Sequence, residues 1–153
     1  MRCRECRELL ELTEVEPVQG QSGGVAVELF GLRLGRCGVA GHAPEPSFPD
    51  FAADLVAAVT AGDALPTARQ RGWRRSRTLC AGCGAGLEGE PGEGEVRARV
   101  RVERAAPLTV TVRGPCLECP ACRKCQLPGT PEHRSALTRA LLAALGASGL
   151  VVE

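Results

Sequence analysis

Apolar and polar residues alternate in three stretches of the chain. Residues 25–30 read Val-Ala-Val-Glu-Leu-Phe, residues 96–102 read Val-Arg-Ala-Arg-Val-Arg-Val, and residues 108–112 read Leu-Thr-Val-Thr-Val. Successive side chains of a strand point to opposite faces, so this period of two predicts strands with one buried face. Pro107 separates the second stretch from the third, and we expect these two stretches to form a hairpin.

A further stretch has apolar residues at helical spacing. Phe51, Leu55 and Val59 lie about one turn apart and predict the apolar face of a first helix. The dipeptide Pro49-Asp50 suits the first turn of this helix, and Gly62 suits the position just after its last residue. We expect this face to belong to the core.

A second helix is predicted near the end of the chain. Thr130 is a suitable N-cap, Pro131 suits the first helical position, and Gly146 is expected to end the helix. The leucines of this segment recur every four residues and predict a second stripe that faces the core: Leu137, Leu141 and Leu145.

The composition leaves room for only a modest core. The 153 residues include one Trp, three Phe and no Tyr, whereas 19 Gly and 11 Pro favour turns. Because few large side chains are available for burial, the fold has more need of a cross-link. The chain carries nine cysteines, eight of them in four Cys-x2-Cys pairs: Cys3/Cys6, Cys80/Cys83, Cys116/Cys119 and Cys122/Cys125, with Cys37 left over.

This cysteine pattern favours metal ligation over disulfides. The sequence starts Met-Arg-Cys-Arg-Glu-Cys, without the apolar core of a signal peptide. No run approaches the roughly 18 apolar residues of a membrane-spanning helix. We therefore expect a cytoplasmic, reducing location, where Cys-x2-Cys pairs usually bind metal. The odd number of cysteines also argues against complete pairing into disulfides.

The stronger predicted metal site lies in the C-terminal half. The turn within a Cys-x2-Cys pair directs both sulfurs to one ion, so two pairs complete a tetrahedral shell. Gly84 follows one pair and is expected to let backbone N–H groups turn toward the sulfur, while Pro120 sets the turn of another pair. Spacing alone leaves Cys116 and Cys125 open as alternative ligands. We assign the site to Cys80, Cys83, Cys119 and Cys122.

A second metal site is predicted near the N-terminus. Its ligands are Cys3, Cys6, Cys37 and His42, a set typical of structural zinc. The alternative is that His42 is a surface residue of a loop rich in Gly and Pro. We expect His133 to be solvated in the first turn of the last helix, the alternative being that it joins Cys116 and Cys125. Two sites predict two Zn²⁺ ions per chain.

The spacing of the cysteines indicates that one architectural unit occurs twice. Thirty residues separate Cys6 from Cys37, and 32 separate Cys83 from Cys116. We expect a small α+β fold in which two metal-bound β-hairpin zinc ribbons are joined by one helix and followed by a C-terminal helix. The predicted parts are zinc ribbon 1 at residues 1–46, a linking helix and basic linker at 47–79, zinc ribbon 2 at 80–128, and the C-terminal helix and tail at 129–153.

The chain resembles a tandem of rubredoxin-like zinc ribbons, because Cys80-x2-Cys83-Gly84 and Cys119-Pro120-x-Cys122 look like the two rubredoxin knuckles. That resemblance also allows iron, and with it a role as an electron carrier. Rubredoxins wrap their site with several aromatic side chains, whereas this unit has only Trp73 nearby, which favours zinc.

The first unit, from Cys3-x2-Cys6 to Cys37, is similar to the zinc-binding domain of MqsA/YgiT-type antitoxins. Where that family repeats Cys-x2-Cys, this chain has Cys37-x4-His42. The antitoxins continue into a helix-turn-helix, and nothing in residues 47–153 reads as one. The resemblance implies a zinc site and a protein partner.

A basic segment is the best indication of a partner surface. Residues 68–79 contain five arginines, one tryptophan and no acid: Arg69, Arg71, Trp73, Arg74, Arg75 and Arg77. Arginine matches phosphate oxygens and tryptophan can stack on a base, so this segment could hold nucleic acid. Alternatively it is a solvated segment in which Trp73 fills the gap between the two units. The first 62 residues carry a formal charge of −4 and the remainder +5, which indicates different surfaces for different neighbours.

No catalytic constellation appears in the sequence. It has no Ser/His/Asp arrangement and no phosphate-binding Gly-x4-Gly-Lys-Ser/Thr motif, and four protein ligands close a zinc shell to substrate and water. We expect a non-enzymatic zinc-binding module that contacts a protein partner, as an adaptor or a toxin-neutralising protein. The alternatives are a nucleic-acid-binding zinc ribbon and a rubredoxin-like electron carrier. No membrane and no small-molecule substrate are expected.

Overall fold

A computed structural model gives the structure of residues 1–61 and 64–150. Within them the chain is a small mixed α/β fold with antiparallel sheets. The elements, in chain order, are β1 (Glu11–Glu14), β2 (Val18–Ser22), β3 (Val25–Phe30), β4 (Arg33–Arg36), α1 (Phe51–Thr60), β5 (Arg69–Arg71), β6 (Arg77–Leu79), β7 (Gly86–Leu87), β8 (Gly92–Val100), β9 (Leu108–Glu118), β10 (Cys125–Gln126) and α2 (Pro131–Ala147).

The core is built on one antiparallel sheet with the strand order β2-β3-β9-β8, and the short β10 pairs with the end of β9. Strand β9 spans 11 residues. It pairs with β8 from Leu108 to Cys116 and with β3 over Thr109–Arg113. The predicted hairpin is therefore β8–β9. Strand β9 extends past its pairing with β8 and ends at Glu118, the residue directly before Cys119.

The predicted alternation of apolar residues is confirmed. Arg97 and Arg99 are exposed, while the valines on either side of them face the core. One continuous hydrophobic cluster contains the apolar positions of all three predicted strands: Val25, Val27, Leu29, Val96, Val100, Val102, Leu108, Val110 and Val112.

Strands β3 and β9 connect the two predicted units directly. Ala26–Phe30 face Thr109–Arg113 in antiparallel register, so a strand of the first unit extends the hairpin of the second. A short hairpin exposes unpaired backbone N–H and C=O groups at its edge, and pairing with a neighbour satisfies them. The units thus share a sheet in addition to the linking helix. The division of the chain at residues 46, 79 and 128 stays a prediction.

Helix α2 covers one face of this sheet. Thr130 caps it by accepting a hydrogen bond from the N–H of His133, and Pro131 takes the first helical position, as predicted. The helix continues through Ala147 to a cap at Ser148, so Gly146 does not end it. The predicted leucine stripe is confirmed, and a buried alanine stripe beside it was not foreseen: Ala136, Ala140 and Ala144.

Helix α1 begins at Phe51, with Asp50 as its N-cap rather than in its first turn. Its predicted apolar face is confirmed because Phe51, Leu55 and Val59 are buried. Phe48 packs edge-on against Phe51, with ring centroids 5.7 Å apart. The predicted role of Gly62 lies outside the described residues.

Two expectations need correction. His133 is buried, not solvated, and this burial lowers its pKa. The basic segment is not a plain linker, because Arg69–Arg71 and Arg77–Leu79 form strands β5 and β6, which together with β7 make a three-stranded sheet. No helix in the described part of the chain has both the length and the apolar character to cross a membrane.

Close contact between α2 and β2 depends on Gly20. A Cβ built on Gly20 would collide with the carbonyl oxygen of Ala140 and the amide nitrogen of Ala144. We expect Gly20→Ala to destabilise the protein by about 1–3 kcal/mol, because overpacking forces the helix away from the sheet. Urea unfolding followed by circular dichroism measures the change. Gly92→Ala is the matched control, since Gly92 also lies in a strand but nothing lies within 4 Å of its added Cβ. Equal stability of the two variants would contradict the prediction.

Candidate metal centres

Two groups of four side chains could each hold a metal ion. Within each group, the four possible ligand atoms lie within 4.8 Å of one another. The first centre consists of Cys3, Cys6, Cys37 and His42, and the second of Cys80, Cys83, Cys119 and Cys122. These are the two predicted ligand sets. Cys116 and Cys125 belong to neither.

Strand pairing explains how each centre is assembled. In the first centre, strand β1 follows Cys6 and strand β4 precedes Cys37. The two strands pair antiparallel with Glu11 opposite Arg36, so Cys37 lies close to the Cys3/Cys6 turn. In the second centre each Cys-x2-Cys turn connects two paired strands. One turn lies between β6 and β7, and the other between β9 and β10.

Three Cys-x2-Cys turns have the same backbone hydrogen bonds. The N–H of the first cysteine donates to the carbonyl oxygen five residues later, at 2.8 Å from Cys3, 2.8 Å from Cys80 and 3.0 Å from Cys119. The carbonyl oxygen of the same cysteine accepts from the N–H four residues later, at 3.0, 3.0 and 2.8 Å respectively. We call this arrangement a knuckle. Its recurrence identifies Cys119/Cys122 as the second pair of the C-terminal centre.

Each knuckle ends in a left-handed residue. Arg7, Gly84 and Arg123 directly follow the second cysteine and have φ of 67°, 75° and 62°. Glycine adopts this conformation without steric cost, whereas arginine does not. Gly84 can therefore close its turn without steric cost, and backbone N–H groups of this turn face the Cys80 sulfur, as expected. The N–H of Gly84 donates to the carbonyl oxygen of Cys80, and the N–H that lies 3.3 Å from the Cys80 sulfur belongs to Gly82.

The donor atoms fit a tetrahedral zinc ion. Zinc–sulfur bonds of about 2.3 Å at tetrahedral angles place sulfurs roughly 3.8 Å apart. In the second centre, Sγ of Cys80 lies 3.6 Å from Sγ of Cys122, and Sγ of Cys83 lies 3.6 Å from Sγ of Cys119. In the first centre, Cys6 and Cys37 have sulfurs 3.4 Å apart, and Nδ1 of His42 lies 3.4 Å from the sulfur of Cys3.

Backbone N–H groups stabilise negative charge on the first cysteine of each knuckle. The pKa of Cys80 is lowered to about 5, mainly by the N–H of Cys83 and to a smaller extent by the side chain of Gln126. The N–H of Cys6 lowers the pKa of Cys3 to about 7, and the N–H of Cys122 lowers the pKa of Cys119. Thiolate is the form that binds metal, so these turns are preorganised for a cation.

Gln126 supports the second centre and was not identified from the sequence. It is fully buried, its Nε2 donates to the sulfur of Cys80 at 3.2 Å, and its Oε1 accepts from the N–H of Ala81 at 2.7 Å. One side chain thus holds the knuckle on both its sulfur and its backbone. No pattern in the sequence could reveal this contact, because 46 residues separate Gln126 from Cys80.

Glu5 has a comparable role in the first centre. Nδ1 of His42 faces the sulfur of Cys3, and its Nε2 lies 3.8 Å from the Glu5 carboxylate, which also accepts from the N–H of Ala43 at 3.3 Å. A carboxylate on the far nitrogen commonly orients a metal-bound histidine. This arrangement favours His42 as a ligand over the alternative of an exposed loop residue.

Cys116 has a different environment from the ligand sets. It lies within β9 and belongs to the main hydrophobic cluster. Burial, and then the neighbouring Cys125, raises its pKa to about 12. A thiol in this environment resists ionisation, which separates it from Cys119 three residues later.

The basic segment lies beside the second centre. Its five arginines and Trp73 are all exposed, and Trp73 stands at the turn between β5 and β6 with 92% of its surface accessible. It therefore does not fill a gap between units. An open groove of about 470 Å³ runs between this hairpin and the first knuckle of the centre, lined by Arg69, Gln70, Arg71, Leu79, Cys80, Ala81, Gly82 and Gly84.

Comparisons of the chain with protein-family models, with curated proteins and with solved structures find no match. The similarity to zinc ribbons and to the antitoxin domain therefore rests on the cysteine motifs alone. The two clusters themselves are consistent with a zinc-binding protein.

Cysteine replacements test the ligand assignment. We expect Cys80→Ser to bind one zinc ion fewer than the parent protein and to lose the β5–β7 sheet, since zinc binding contributes folding energy. Cys116→Ser should keep the parent's zinc content, because its thiol is outside both ligand sets. Metal analysis of the purified variants measures this. If Cys116→Ser loses one ion while Cys122→Ser keeps it, the second pair is Cys116/Cys119.

A replacement of Gln126 tests its supporting role. Gln126→Leu removes the donor to the Cys80 sulfur and leaves the buried N–H of Ala81 without its partner. We expect zinc affinity at one site to fall about 10- to 100-fold, as is typical for groups that orient ligands. Competition with a chromophoric chelator measures this affinity. Gln70→Leu is the control, because Gln70 is an exposed glutamine of the adjoining hairpin. Unchanged affinity in Gln126→Leu would refute the role.

Proposed function

We propose that this protein is a non-enzymatic zinc-binding module whose second metal centre supports a basic β-hairpin, Arg69–Leu79, that binds single-stranded nucleic acid. The observation that carries the proposal is the full exposure of Trp73 among five exposed arginines. The sequence favoured a protein partner over nucleic acid; the exposure of Trp73 and the arginines is our reason for proposing nucleic acid first.

A structural role for the metal is supported by the ligand sets. Each set offers four protein donors, which leaves zinc no open position for a substrate. Zinc is favoured over iron because Trp73, the aromatic residue nearest to the second centre in the sequence, is turned toward solvent. Among the described residues no aromatic shell of the rubredoxin kind then covers the sulfurs, since Phe48 and Phe51 pack at helix α1 and Phe30 lies under Arg97.

The metal is well placed to determine whether the hairpin forms. The small hydrophobic cluster under β5–β7 consists of Ala68, Cys80, Leu87 and Cys119, so half of its members are ligands. Strand β5 is also anchored by the N–H of Ala68, which donates to the carbonyl oxygen of Leu127 at 2.8 Å. So few apolar groups stabilise a three-stranded sheet poorly without a metal cross-link.

The charges of the hairpin favour an anionic partner. Arg71 pairs directly opposite Arg77, and like charges at such a cross-strand position are destabilising. Within residues 1–61 and 64–150, none of the five hairpin arginines forms an ion pair with a carboxylate. Phosphates along a nucleic-acid strand would supply the missing negative charge.

Two other exposed arginines, both in the main sheet, have partners within the protein. Arg113 lies 2.6 Å from Glu95 and 3.8 Å from Glu28. Arg97 packs over the ring of Phe30, 5.3 Å from its centroid. These two arginines are therefore less available to a partner than the five of the hairpin.

Stacking on Trp73 would complement these phosphate contacts. Its ring is exposed, and the guanidinium of Arg74 lies 5.6 Å from the ring centroid. Every base has a flat π-face, so one exposed tryptophan accepts bases with little sequence preference. Proteins that bind single strands combine such rings with a basic groove.

A protein partner is the second candidate, and a different surface favours it. Leu9 and Leu12, near the first centre, are 69% and 54% exposed. An adaptor or a toxin-neutralising protein would use such apolar residues in a contact. The basic hairpin would then be solvated or would face an acidic part of that partner.

Binding of a fluorescein-labelled single-stranded oligonucleotide, followed by anisotropy at several salt concentrations, tests the proposal. We expect Trp73→Ala to weaken binding about 5- to 150-fold, since one stacked base contributes ~1–3 kcal/mol. Arg71→Gln should lower the slope of log K against log salt by about 0.7, the value for one phosphate contact on a single strand.

Two exposed residues outside the hairpin serve as controls, Leu9→Ala for the tryptophan and Arg99→Gln for the arginine. Both should bind like the parent protein. The proposal fails if the zinc-loaded protein does not bind at low salt, or if Trp73→Ala and Leu9→Ala have equal affinity. Retained zinc content shows that each variant is folded.

A further inference from the structure

Two cysteines lie outside both ligand sets and close to each other. Cys116 is in β9, and Cys125 is the first residue of β10, the strand that pairs with the end of β9. Cys125 is opposite Glu118, two residues from Cys116, so both cysteines lie on the same face of the sheet. The pairing of β9 with β10 therefore places the two thiols diagonally across neighbouring strands.

Gly94 leaves space for both sulfurs. A Cβ built on Gly94 would lie 3.1 Å from Sγ of Cys116 and 3.2 Å from Sγ of Cys125. Both sulfurs thus lie over the backbone of Gly94 in strand β8. Any side chain larger than hydrogen at this position would press on both. The contact between the two thiols also contributes to the raised pKa of Cys116.

Neither thiol has a role in the metal centres. The donor atoms of the second centre come from Cys80, Cys83, Cys119 and Cys122. The two thiols also differ in access, because Cys116 is buried whereas Cys125 is partly exposed. An accessible thiol beside a buried one is the arrangement in which the first reacts with a reagent and the second displaces it.

We propose that Cys116 and Cys125 form a reversible disulfide, by exchange with a small-molecule disulfide such as oxidised glutathione, while both metal centres stay loaded. Cys125, as thiolate, attacks one sulfur of oxidised glutathione. A mixed disulfide forms and one glutathione thiolate leaves, taking up the proton that Cys125 lost. Cys116 then loses its proton and attacks the Cys125 sulfur, which releases the second glutathione as thiol. Together the two protein thiols lose two electrons and two protons, and one oxidised glutathione becomes two molecules of reduced glutathione.

This disulfide would secure the second knuckle. It closes a loop from residue 116 to residue 125, and that loop carries Cys119 and Cys122. A covalent loop restricts the unfolded chain, so the knuckle would remain tethered to the sheet even after its metal is removed. The bond would therefore protect the half of the centre that is farther from the hairpin.

Zinc-loaded protein equilibrated with mixtures of oxidised and reduced glutathione tests the proposal. After an acid quench the zinc is removed, the protein is denatured and free thiols are alkylated. Mass spectrometry should count nine alkylated cysteines in the reduced protein and seven in the oxidised one, with two zinc ions per chain before the quench in both. Trypsin cuts after Arg123 and Lys124, so Cys116 and Cys125 fall in separate peptides that only the disulfide links.

Cys116→Ala and Cys125→Ala are the controls. Each should keep its zinc, which shows that it is folded, and neither should give linked peptides. Cys116→Ala should instead accumulate glutathione on Cys125. Three results would overturn the proposal: nine alkylated thiols at every ratio of the two glutathiones, a link through Cys119 or Cys122, or a parent protein that stops at the mixed disulfide.

Discussion

Four sulfurs of the second centre lie within 4.8 Å of one another and, as thiolates, would need a cation to hold them together. Thiolates repel each other, and a buried charge without a partner is costly. Here N–H groups stabilise charge on the first cysteine of each knuckle, whereas the pKa values of Cys6 and Cys122, second cysteines of two knuckles, are raised. In Cys122 the N–H of Lys124 lowers the pKa, yet the neighbouring cysteines and burial raise it to about 11 overall. Protons and a divalent cation would thus compete for the same sulfurs, and a bound metal would couple to the fold of the β5–β7 sheet.

The larger part of the molecule does not have this dependence. The sheet of β2, β3, β8 and β9 buries a continuous cluster against α1 and α2. Close packing of helix on sheet is possible because Gly20 faces the alanine stripe of α2. Strands of this sheet also lead to both centres, since β9 runs to Cys119 and β3 is followed by β4 and Cys37. A stable sheet therefore fixes one side of each centre, and a bound metal would fix the other.

Much of this could be predicted from the sequence, because strand alternation and Cys-x2-Cys turns are local properties. The leucine face of α2, the valines of β8 and the Cys-x2-Cys turns follow from short spacings, whereas spacing alone left Cys116 and Cys125 open as ligands of the second centre. The pairing of β3 with β9 could not be predicted, since it joins segments about 80 residues apart and no pattern specifies which edges meet. The burial of His133 was missed for a related reason. Its position in the first turn of a helix suggested solvent, whereas the packing of that turn is decided by distant residues.

Local charge also explains why the basic segment was misread as a linker. Strands β5 and β6 carry three arginines and few apolar residues, so they lack the alternation of a half-buried strand. They pair because the knuckle after Leu79 and the anchor at Ala68 hold their ends. These two contacts depend on the tertiary fold, so they could not be predicted from the composition of the segment. The role of Gln126 is hidden in the same way.

The crossed sulfur contacts of the second centre imply an approximate two-fold symmetry, because the first cysteine of each knuckle meets the second cysteine of the other. Gln126 breaks this symmetry by donating to Cys80 alone. A symmetric pair of knuckles would exchange the ion from either side with equal ease. In this protein the pKa of Cys80 is lowered to about 5 by backbone N–H groups and Gln126, whereas that of Cys122 is raised to about 11. Loss of the ion should therefore be directional, starting at the knuckle that follows β9 and ending at the one that adjoins the hairpin.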